Sequence, residues 1–346
     1  PQYLNFMNFE AAGSAVTYDS NSFAPDSAST ATSLSTGNKT YSGTINVDET
    51  GTKTYETITE KVHDQLGMKV GIISSVNLNH ATPAAFYAHQ ASRNNYYEIA
   101  EEMVSSNFDY FAGGGLLSPT GKGGDKESIY DLAKASGYNV ITTQDEAEAL
   151  KAEDGKTIIV AEHLADSDAL SYSMDRESDE WSLADYVDKG IDVLDNEKGF
   201  FMMVEGGNID YAGHSNDGGA AVKEILNFNE AIKVAYDFYL AHPDETLIVV
   251  TADHNTGGMA VRFGDLSLID YQRMSKDQFG YYTKSILNSR RIFTWEDMKA
   301  ELKNLFGFWG KVSISEKQEK VLAEKFENTF NLRNSANQET LYNSFN

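Results

Sequence analysis

Short apolar runs alternate with amphipathic helical patterns along most of the 346 residues. This alternation is typical of a parallel sheet whose strands are joined by crossover helices. The apolar runs predict strands at 69–74, 109–112, 138–142, 157–161, 200–204 and 247–251. The helical patterns between them predict helices near 54–66, 93–104, 127–136, 182–194 and 220–240. The sequence therefore predicts an α/β fold, a doubly wound and mostly parallel sheet with helices on both faces.

The pattern changes after Gly257, where the alternation of apolar runs and helices stops. Polar helical patterns at 295–305 and 315–326 precede a tail that is rich in Asn and Ser. We expect residues 1–261 to form the α/β core and residues 262–346 to form a mainly helical insert or subdomain of the same domain.

Composition narrows the chemistry that this chain can carry. The 52 acidic and 28 basic residues give a formal net charge of −24, which argues against nucleic acid and anionic membrane surfaces as partners. There is no Cys, so disulfides, thiolate metal sites and Cys nucleophiles are excluded. A metal site must use imidazole, carboxylate or hydroxyl ligands. No apolar run is long enough for a bilayer span, so we expect no transmembrane helix.

A Ser that follows an Asp at a predicted helix start is the first chemical signal. Ser27 follows Asp26 and precedes small residues that can form a helix. The amide dipoles at a helix N-terminus favour an anion, which suits a nucleophile that becomes phosphorylated. The same segment also fits an ordinary Asp N-cap on a Ser/Thr-rich helix, so both interpretations stay open.

Two further signals follow apolar runs that predict buried strands. Glu205 ends one run, and Asp210 and His214 then stand four residues apart, so one helical turn aims both at a single cation. Asp253 and His254 end another run and offer a hard and a borderline ligand side by side. A capping Asp with a surface His is the alternative in both places.

The fourth signal follows the predicted strand at 69–74. His80 and Thr82 lie just beyond this strand, near the carboxyl edge of the predicted sheet, and Arg93 follows eleven residues after Thr82. A guanidinium can grip a phosphate with two parallel hydrogen bonds, and an acidic chain needs such a group to hold an anionic substrate. By itself this segment also fits a common Thr-Pro turn and an exposed Arg.

In this order and spacing, four sequence segments together resemble the alkaline phosphatase family. They are Asp-Ser-Ala with Ser-Thr-Gly, His-Ala-Thr-Pro-Ala-Ala, Val-Glu-Gly with Asp-x-x-x-His, and Thr-Ala-Asp-His, spread over residues 23–259. The resemblance implies the doubly wound fold of that family and metal-dependent hydrolysis of small phosphate monoesters. It also implies a phosphoserine intermediate, two zinc ions, one magnesium ion, and inorganic phosphate as product.

The resemblance assigns roles residue by residue. It implies that Ser27 is the phosphorylated nucleophile and that Arg93 binds the phosphate. The implied metal ligands are Asp210 and His214 for the first zinc, Asp253, His254 and Ser27 for the second, and Thr82 and Glu205 for the magnesium. His80 and Tyr211 occupy positions that vary within the family beside the site, where we expect them to tune it.

The chain departs from the family pattern at two places. The family's Gly-Asp-Gly-Met-Gly turn, whose Asp bridges two metals, and its C-terminal His-Thr-Gly segment do not occur in the sequence. We expect both to lie outside these residues, in a longer phosphatase. A catalytically incomplete fragment that binds metal or phosphate, or a phosphodiesterase of the same superfamily, are the alternative functions. The resemblance further implies a periplasmic or extracellular location and leaves a homodimer open.

Overall fold

The computed structural model describes residues 3–259, 271–289 and 292–331. The chain divides into two compact units. The first unit comprises Pro1–Ser171, Glu177–Asn208 and Ile225–Asn255, and the second unit comprises Tyr172–Arg176, Ile209–Glu224 and Thr256–Asn346. The boundary that the sequence predicts at residue 261 lies outside the described residues.

A five-stranded parallel sheet forms the centre of the first unit. Its strands are β1 (Lys69–Ser74), β2 (Tyr110–Gly113), β3 (Asn139–Ile141), β4 (Thr157–Val160) and β5 (Phe200–Glu205). Their order across the sheet is β3-β4-β2-β1-β5, and every neighbouring pair is parallel. The predicted α/β class with a parallel sheet is confirmed.

Helices cover both faces of this sheet because successive strand residues point to opposite sides. Ile72 and Phe111 belong to one buried cluster, whereas their neighbours Ile73 and Tyr110 belong to another. The helices that pack on the first cluster are α1 (Ser27–Thr36), α2 (Ile58–Leu66), α3 (Ala81–Ala84), α4 (Tyr96–Ser105) and α5 (Ile129–Ala135). Those on the second are α6 (Gln144–Ala149), α7 (Leu183–Leu194) and part of α9 (Gly218–Ala241).

The carboxyl ends of β1 and β2 approach each other closely. Gly113 ends β2 with a φ of 126°, and a Cβ there would lie 1.9 Å from the Ser74 carbonyl oxygen. Only glycine fits this position, for reasons of both backbone conformation and space. The loop after β1, which carries several of the predicted site residues, is therefore packed tightly onto the sheet edge.

The apolar run at 247–251 is not a strand, and the prediction of a sixth strand was wrong. Within the described part of the chain, this run pairs with no neighbouring strand. Leu247 and Val249 are 87% and 73% exposed. An apolar run in the sequence predicts burial but does not specify a pairing partner, and a strand also needs an adjacent backbone to complete its hydrogen-bond ladder.

The described part of the second unit is mainly helical. It contains most of α8 (Asn208–His214), the start of α9, and α10 (Lys276–Asn288), α11 (Trp295–Phe306) and α12 (Glu316–Phe326). Helices α11 and α12 match the patterns in the sequence, and capping boxes at Thr294 and Ser315 set their starts. Phenylalanine side chains from α10 to α12 fill a separate core.

None of the helices in the described ranges combines the length and the apolar character that crossing a bilayer requires.

Candidate functional site

Ser27 is the first residue of α1 and its side chain is buried. Asp26 caps this helix, since its carboxylate accepts the Ser29 N–H at 3.1 Å. Gly37, with a φ of 73°, ends the helix. The cap therefore places the Ser27 hydroxyl at the positive end of a ten-residue helix, where negative charge is stabilised.

His254 lies directly beside the Ser27 hydroxyl. Its Nε2 is 2.9 Å from Ser27 Oγ, and its Nδ1 is 3.1 Å from the Asn255 carbonyl oxygen. A carbonyl can only accept, so Nδ1 is the donor in that contact, and Nε2 is the ring nitrogen that faces the Ser27 hydroxyl. Asp253 Oδ2 lies 3.3 Å from the same Nε2 and 3.4 Å from the Thr30 hydroxyl. The structure thus brings the Ser27 and Asp253–His254 segments together.

Arg93 is held on the other side of the Asp26 cap. Its Nη1 donates to Asp26 Oδ2 at 2.9 Å, and its Nη2 donates to His80 Nε2 at 3.0 Å. Burial acts to raise the pKa of Asp26, but hydrogen bonds from Gly43, Arg93 and Ser29 outweigh it, and the pKa lies below its ordinary value. Asp26 is therefore ionised at neutral pH and fixes the guanidinium beside α1.

The contact between Asp26 and Arg93 is a functional feature that the sequence reading missed. Asp26 was interpreted only as a helix cap, and its partner lies 67 residues further along the chain. A cap uses only part of a carboxylate, so a second role for Asp26 was open from the sequence. The sequence does not show which residue is that partner, because the contact depends on tertiary packing.

Glu205 ends β5, as the sequence predicts for a residue at the carboxyl edge. Its carboxylate accepts a hydrogen bond from Ser74 at the end of β1. Thr82 and His80 are both buried, Thr82 in α3 and His80 at its N-terminal cap. Helix α3 packs against β1, β5 and α1, so these residues occupy neighbouring elements of the first unit.

In the second unit, α8 presents Asp210 and His214 on one face, as their spacing predicts. Asp210 Oδ2 lies 3.6 Å from His214 Nε2. The Thr256 hydroxyl donates to the other carboxylate oxygen, Oδ1, at 2.5 Å. Tyr211, between them in sequence, is half-buried. Thr256 is a contact that the sequence analysis did not single out.

These donors suit divalent cations. Zinc binds four ligands in a tetrahedron with bonds of about 2.0–2.2 Å, so two of its ligands lie about 3.3–3.6 Å apart. The Asp253–His254 and Asp210–His214 separations of 3.3 and 3.6 Å match this range. Within residues 3–259, 271–289 and 292–331, no group of three or more His, Asp or Glu side chains is arranged to hold a metal. Each pair thus offers a partial ligand set.

Comparison with protein families gives a match over most of the chain. The family model described as alkaline phosphatase matches residues 1–319. Among curated proteins, alkaline phosphatase 4 of Bacillus subtilis is 37% identical over 244 residues, which cover 68% of this chain and 50% of that protein. The chain spans about half the length of the curated relatives it matches.

Solved structures give the same result. A cold-active alkaline phosphatase from a psychrophilic Shewanella sp. aligns with a TM-score of 0.77 and 30% identity, covering 96% of this chain and 77% of that one. A variant of the alkaline phosphatase from the Antarctic bacterium TAB5, with magnesium bound in its M3 site, aligns with a TM-score of 0.60 and 30% identity, covering 70% of this chain and 67% of that one.

Proposed function

This chain belongs to the alkaline phosphatase family, and from that premise we propose that it hydrolyses phosphate monoesters through a phosphorylated Ser27. The observation that carries the proposal is the position of the Ser27 hydroxyl. It lies at the N-terminus of α1, 2.9 Å from His254 Nε2, with Arg93 held beside the same helix by Asp26. A nucleophile, an anion-stabilising helix end and a phosphate-binding cation thus belong to one unit.

The proposed reaction has two displacements. In the first, Ser27 Oγ forms a bond to phosphorus while the bond from phosphorus to the leaving alcohol breaks. In the second, water attacks the same phosphorus, releasing inorganic phosphate and restoring the Ser27 hydroxyl. The amide groups at the start of α1 stabilise the negative charge on the transferred group in both steps.

Arg93 is the proposed ligand of the non-bridging phosphate oxygens. A guanidinium carries five N–H donors in one plane. Asp26 and His80 engage one donor on each terminal nitrogen. The remaining donors match the geometry of two phosphate oxygens, and the ionised Asp26 keeps the guanidinium in place.

We further propose that two zinc ions and one magnesium ion bind to this protein. Asp210 and His214 are the proposed ligands of the first zinc, Asp253, His254 and Ser27 of the second, and Thr82 and Glu205 of the magnesium. The separations within the two Asp–His pairs and between Ser27 and His254 support the zinc assignments, and the oxygen donors of Thr82 and Glu205 suit magnesium. When bound, the cations supply positive charge that stabilises the negative oxygens of the transition state. His80 and Tyr211 are proposed to tune these sites.

The resemblance to the family also supports coarser proposals about the whole protein. We propose small phosphate monoesters as substrates, a periplasmic or extracellular location, and assembly as a homodimer. The net charge of −24 agrees with a site that depends on cations and Arg93 to attract an anionic substrate.

Hydrolysis of a chromogenic phosphomonoester at alkaline pH tests the proposal. We expect turnover with zinc and magnesium, loss of turnover with a chelator, and recovery when the metals are restored. Ser27→Ala is expected to lower kcat by at least about 10³-fold, as for other enzymes that lose a nucleophile. The matched control is Ser33→Ala, because the Ser33 hydroxyl donates to the Ser29 carbonyl oxygen of the same helix.

Two results would count against the proposal. Turnover that survives the chelator or the loss of Ser27 would contradict the nucleophile and metal assignments. A folded, metal-loaded chain with no turnover would favour the alternative of a protein that binds metal or phosphate without catalysis. A higher kcat/KM for a chromogenic phosphodiester than for the monoester would favour a phosphodiesterase instead.

A further inference from the structure

Glu205 is held by a buried serine that the sequence analysis did not identify. Ser74 and Glu205 end adjacent parallel strands and are partners in the β1–β5 register. Ser74 is completely buried, and its Oγ is hydrogen-bonded to Glu205 Oε2. The sheet itself therefore brings the hydroxyl to one oxygen of this carboxylate.

The direction of this hydrogen bond follows from a second contact. The Val76 N–H donates to Ser74 Oγ at 3.1 Å, so it occupies an acceptor position of the hydroxyl. A carboxylate can only accept, so the single Ser74 proton points to Glu205. The Ser74 hydroxyl thus accepts a hydrogen bond from the Val76 N–H and donates one to Oε2 of Glu205.

The backbone at Gly207, just after β5, lies close to the Glu205 carboxyl group. A Cβ at Gly207 would lie 2.7 Å from both methyl carbons of Val76 and 3.2 Å from Glu205 Cδ. Only a residue without a side chain allows this close approach. The Gly207 backbone therefore passes close to both Val76 and the Glu205 carboxyl group.

We propose that Ser74 is a positioning residue that orients the Glu205 carboxylate as a ligand for magnesium. This inference rests on the proposed function, which assigns Glu205 to the magnesium site. Partners that orient a metal ligand typically contribute about 10- to 100-fold to metal affinity. Without the Ser74 hydroxyl, the Glu205 carboxylate loses the hydrogen bond that holds Oε2 at the end of the strand pair.

The neighbouring serine provides a matched control. Ser75 is also buried, but its hydroxyl accepts the Asn208 N–H at 3.0 Å and makes no bond to the Glu205 carboxylate. Removing either hydroxyl deprives a backbone N–H of its acceptor, that of Val76 for Ser74 and that of Asn208 for Ser75, so both variants are expected to lose some stability. Only removal of the Ser74 hydroxyl is expected to change magnesium binding.

The experiment measures the Mg²⁺ dissociation constant of the zinc-loaded full chain by calorimetry, for the parent, Ser74→Ala and Ser75→Ala. We expect Ser74→Ala to raise this constant about 10- to 100-fold and Ser75→Ala to change it by less than about twofold. The kcat of Ser74→Ala should return close to the parent value at saturating Mg²⁺. Ser74→Cys fills the same space with a weaker donor and is measured in parallel, in case the Ala variant does not fold.

Two results would overturn the inference in different ways. If Glu205→Ala abolishes Mg²⁺ binding while the Ser74 variants bind as tightly as Ser75→Ala, Ser74 has no positioning role and the proposed magnesium site stands. If the parent binds no Mg²⁺, or if Glu205→Ala binds it as tightly as the parent, the proposed magnesium site fails and the inference fails with it.

Discussion

Glu205 and the Asp253–His254 pair both follow apolar runs, but the two runs adopt different structures. The run before Glu205 is β5, which pairs with β1 along its whole length. The run before Asp253, at 247–251, lies outside any strand in the described residues. The pair nevertheless reaches the start of α1, where His254 meets Ser27 and Asp253 meets Thr30.

The two regions are therefore held by different forces. A strand ladder fixes Glu205 cooperatively, and the buried Ser74 hydroxyl fixes its carboxylate. The Asp253–His254 pair depends on a few side-chain hydrogen bonds, each worth about 0.5–1.5 kcal/mol. The hydrogen bonds of the sheet fix the position of a residue at its edge, whereas a residue on an unpaired segment is positioned by its own side-chain contacts.

The largest expected effect separates the two apolar runs directly. Met203→Asp in β5 puts an unpaired charge in a buried position and should lower the free energy of unfolding by more than about 3 kcal/mol. Val249→Asp, on the exposed run, should change it by less than about 0.5 kcal/mol. Urea unfolding of both variants checks this. Equal losses would show that the run at 247–251 is buried like a strand.

Arg93→Ala should have the next largest effect, which we expect on phosphate binding rather than on the stability of the fold. Loss of the guanidinium removes charged hydrogen bonds to phosphate worth about 1.5–3 kcal/mol, so the inhibition constant for inorganic phosphate should rise about 10- to 100-fold. Arg93→Lys keeps the charge without the planar fork and should fall between parent and Ala. An unchanged inhibition constant in Arg93→Ala, with normal thermal stability, would refute the proposed role.

The segment between α3 and Arg93 should show a distinctive pH dependence. Burial acts to lower the pKa of His89, but Glu102 and Glu60 outweigh it and raise this pKa to about 10. Because the folded-state pKa lies above the unfolded value of about 6.5, this contribution to stability is complete below pH 6.5. It is lost as the pH rises through about 10.

Urea midpoints measured from pH 6 upward for the parent and His89→Gln check this contribution. The parent should lose more stability than the variant as the pH rises, because the variant has no imidazole to titrate. Parallel curves for the two proteins would show that the His89 cluster contributes nothing to the alkaline loss of stability.

The smallest expected effect concerns the bond between Thr30 and Asp253. Thr30→Val keeps the side-chain shape but removes a hydroxyl that donates to the Asp26 carbonyl oxygen at 2.8 Å and lies 3.4 Å from Asp253 Oδ2. Because the contact with Asp253 is the longer of the two, the zinc dissociation constant should rise by only about two- to fivefold. Thr32→Val is the control, because the Thr32 hydroxyl accepts the Asn46 N–H and does not contact Asp253. A rise of tenfold or more would mean that Thr30 is the main support of Asp253.

Local sequence signals predicted the elements whose formation depends on local physics. The Asp26 cap, the spacing of Asp210 and His214, and the strand before Glu205 all follow from short-range rules of capping and periodicity. The parallel sheet followed from the alternation of apolar runs and helices.

The remaining features depend on partners that a short segment does not specify. Whether the run at 247–251 becomes a strand depends on a neighbouring backbone, and its apolar residues alone do not distinguish it from β5. The contacts of Asp26 with Arg93 and of Ser74 with Glu205 join residues 67 and 131 positions apart. Tertiary packing creates these contacts. The sequence motifs therefore identified the candidate site residues but not the residues that position them.

Trapping the phosphorylated protein tests the central claim most directly. The zinc- and magnesium-loaded chain is mixed with a phosphomonoester, quenched in acid during turnover, and digested for peptide mass analysis. We expect one phosphoryl group on the peptide that contains Ser27, and none on any peptide of Ser27→Ala. Steady turnover with no phosphate on Ser27, or with phosphate on another residue that persists in Ser27→Ala, would contradict this claim.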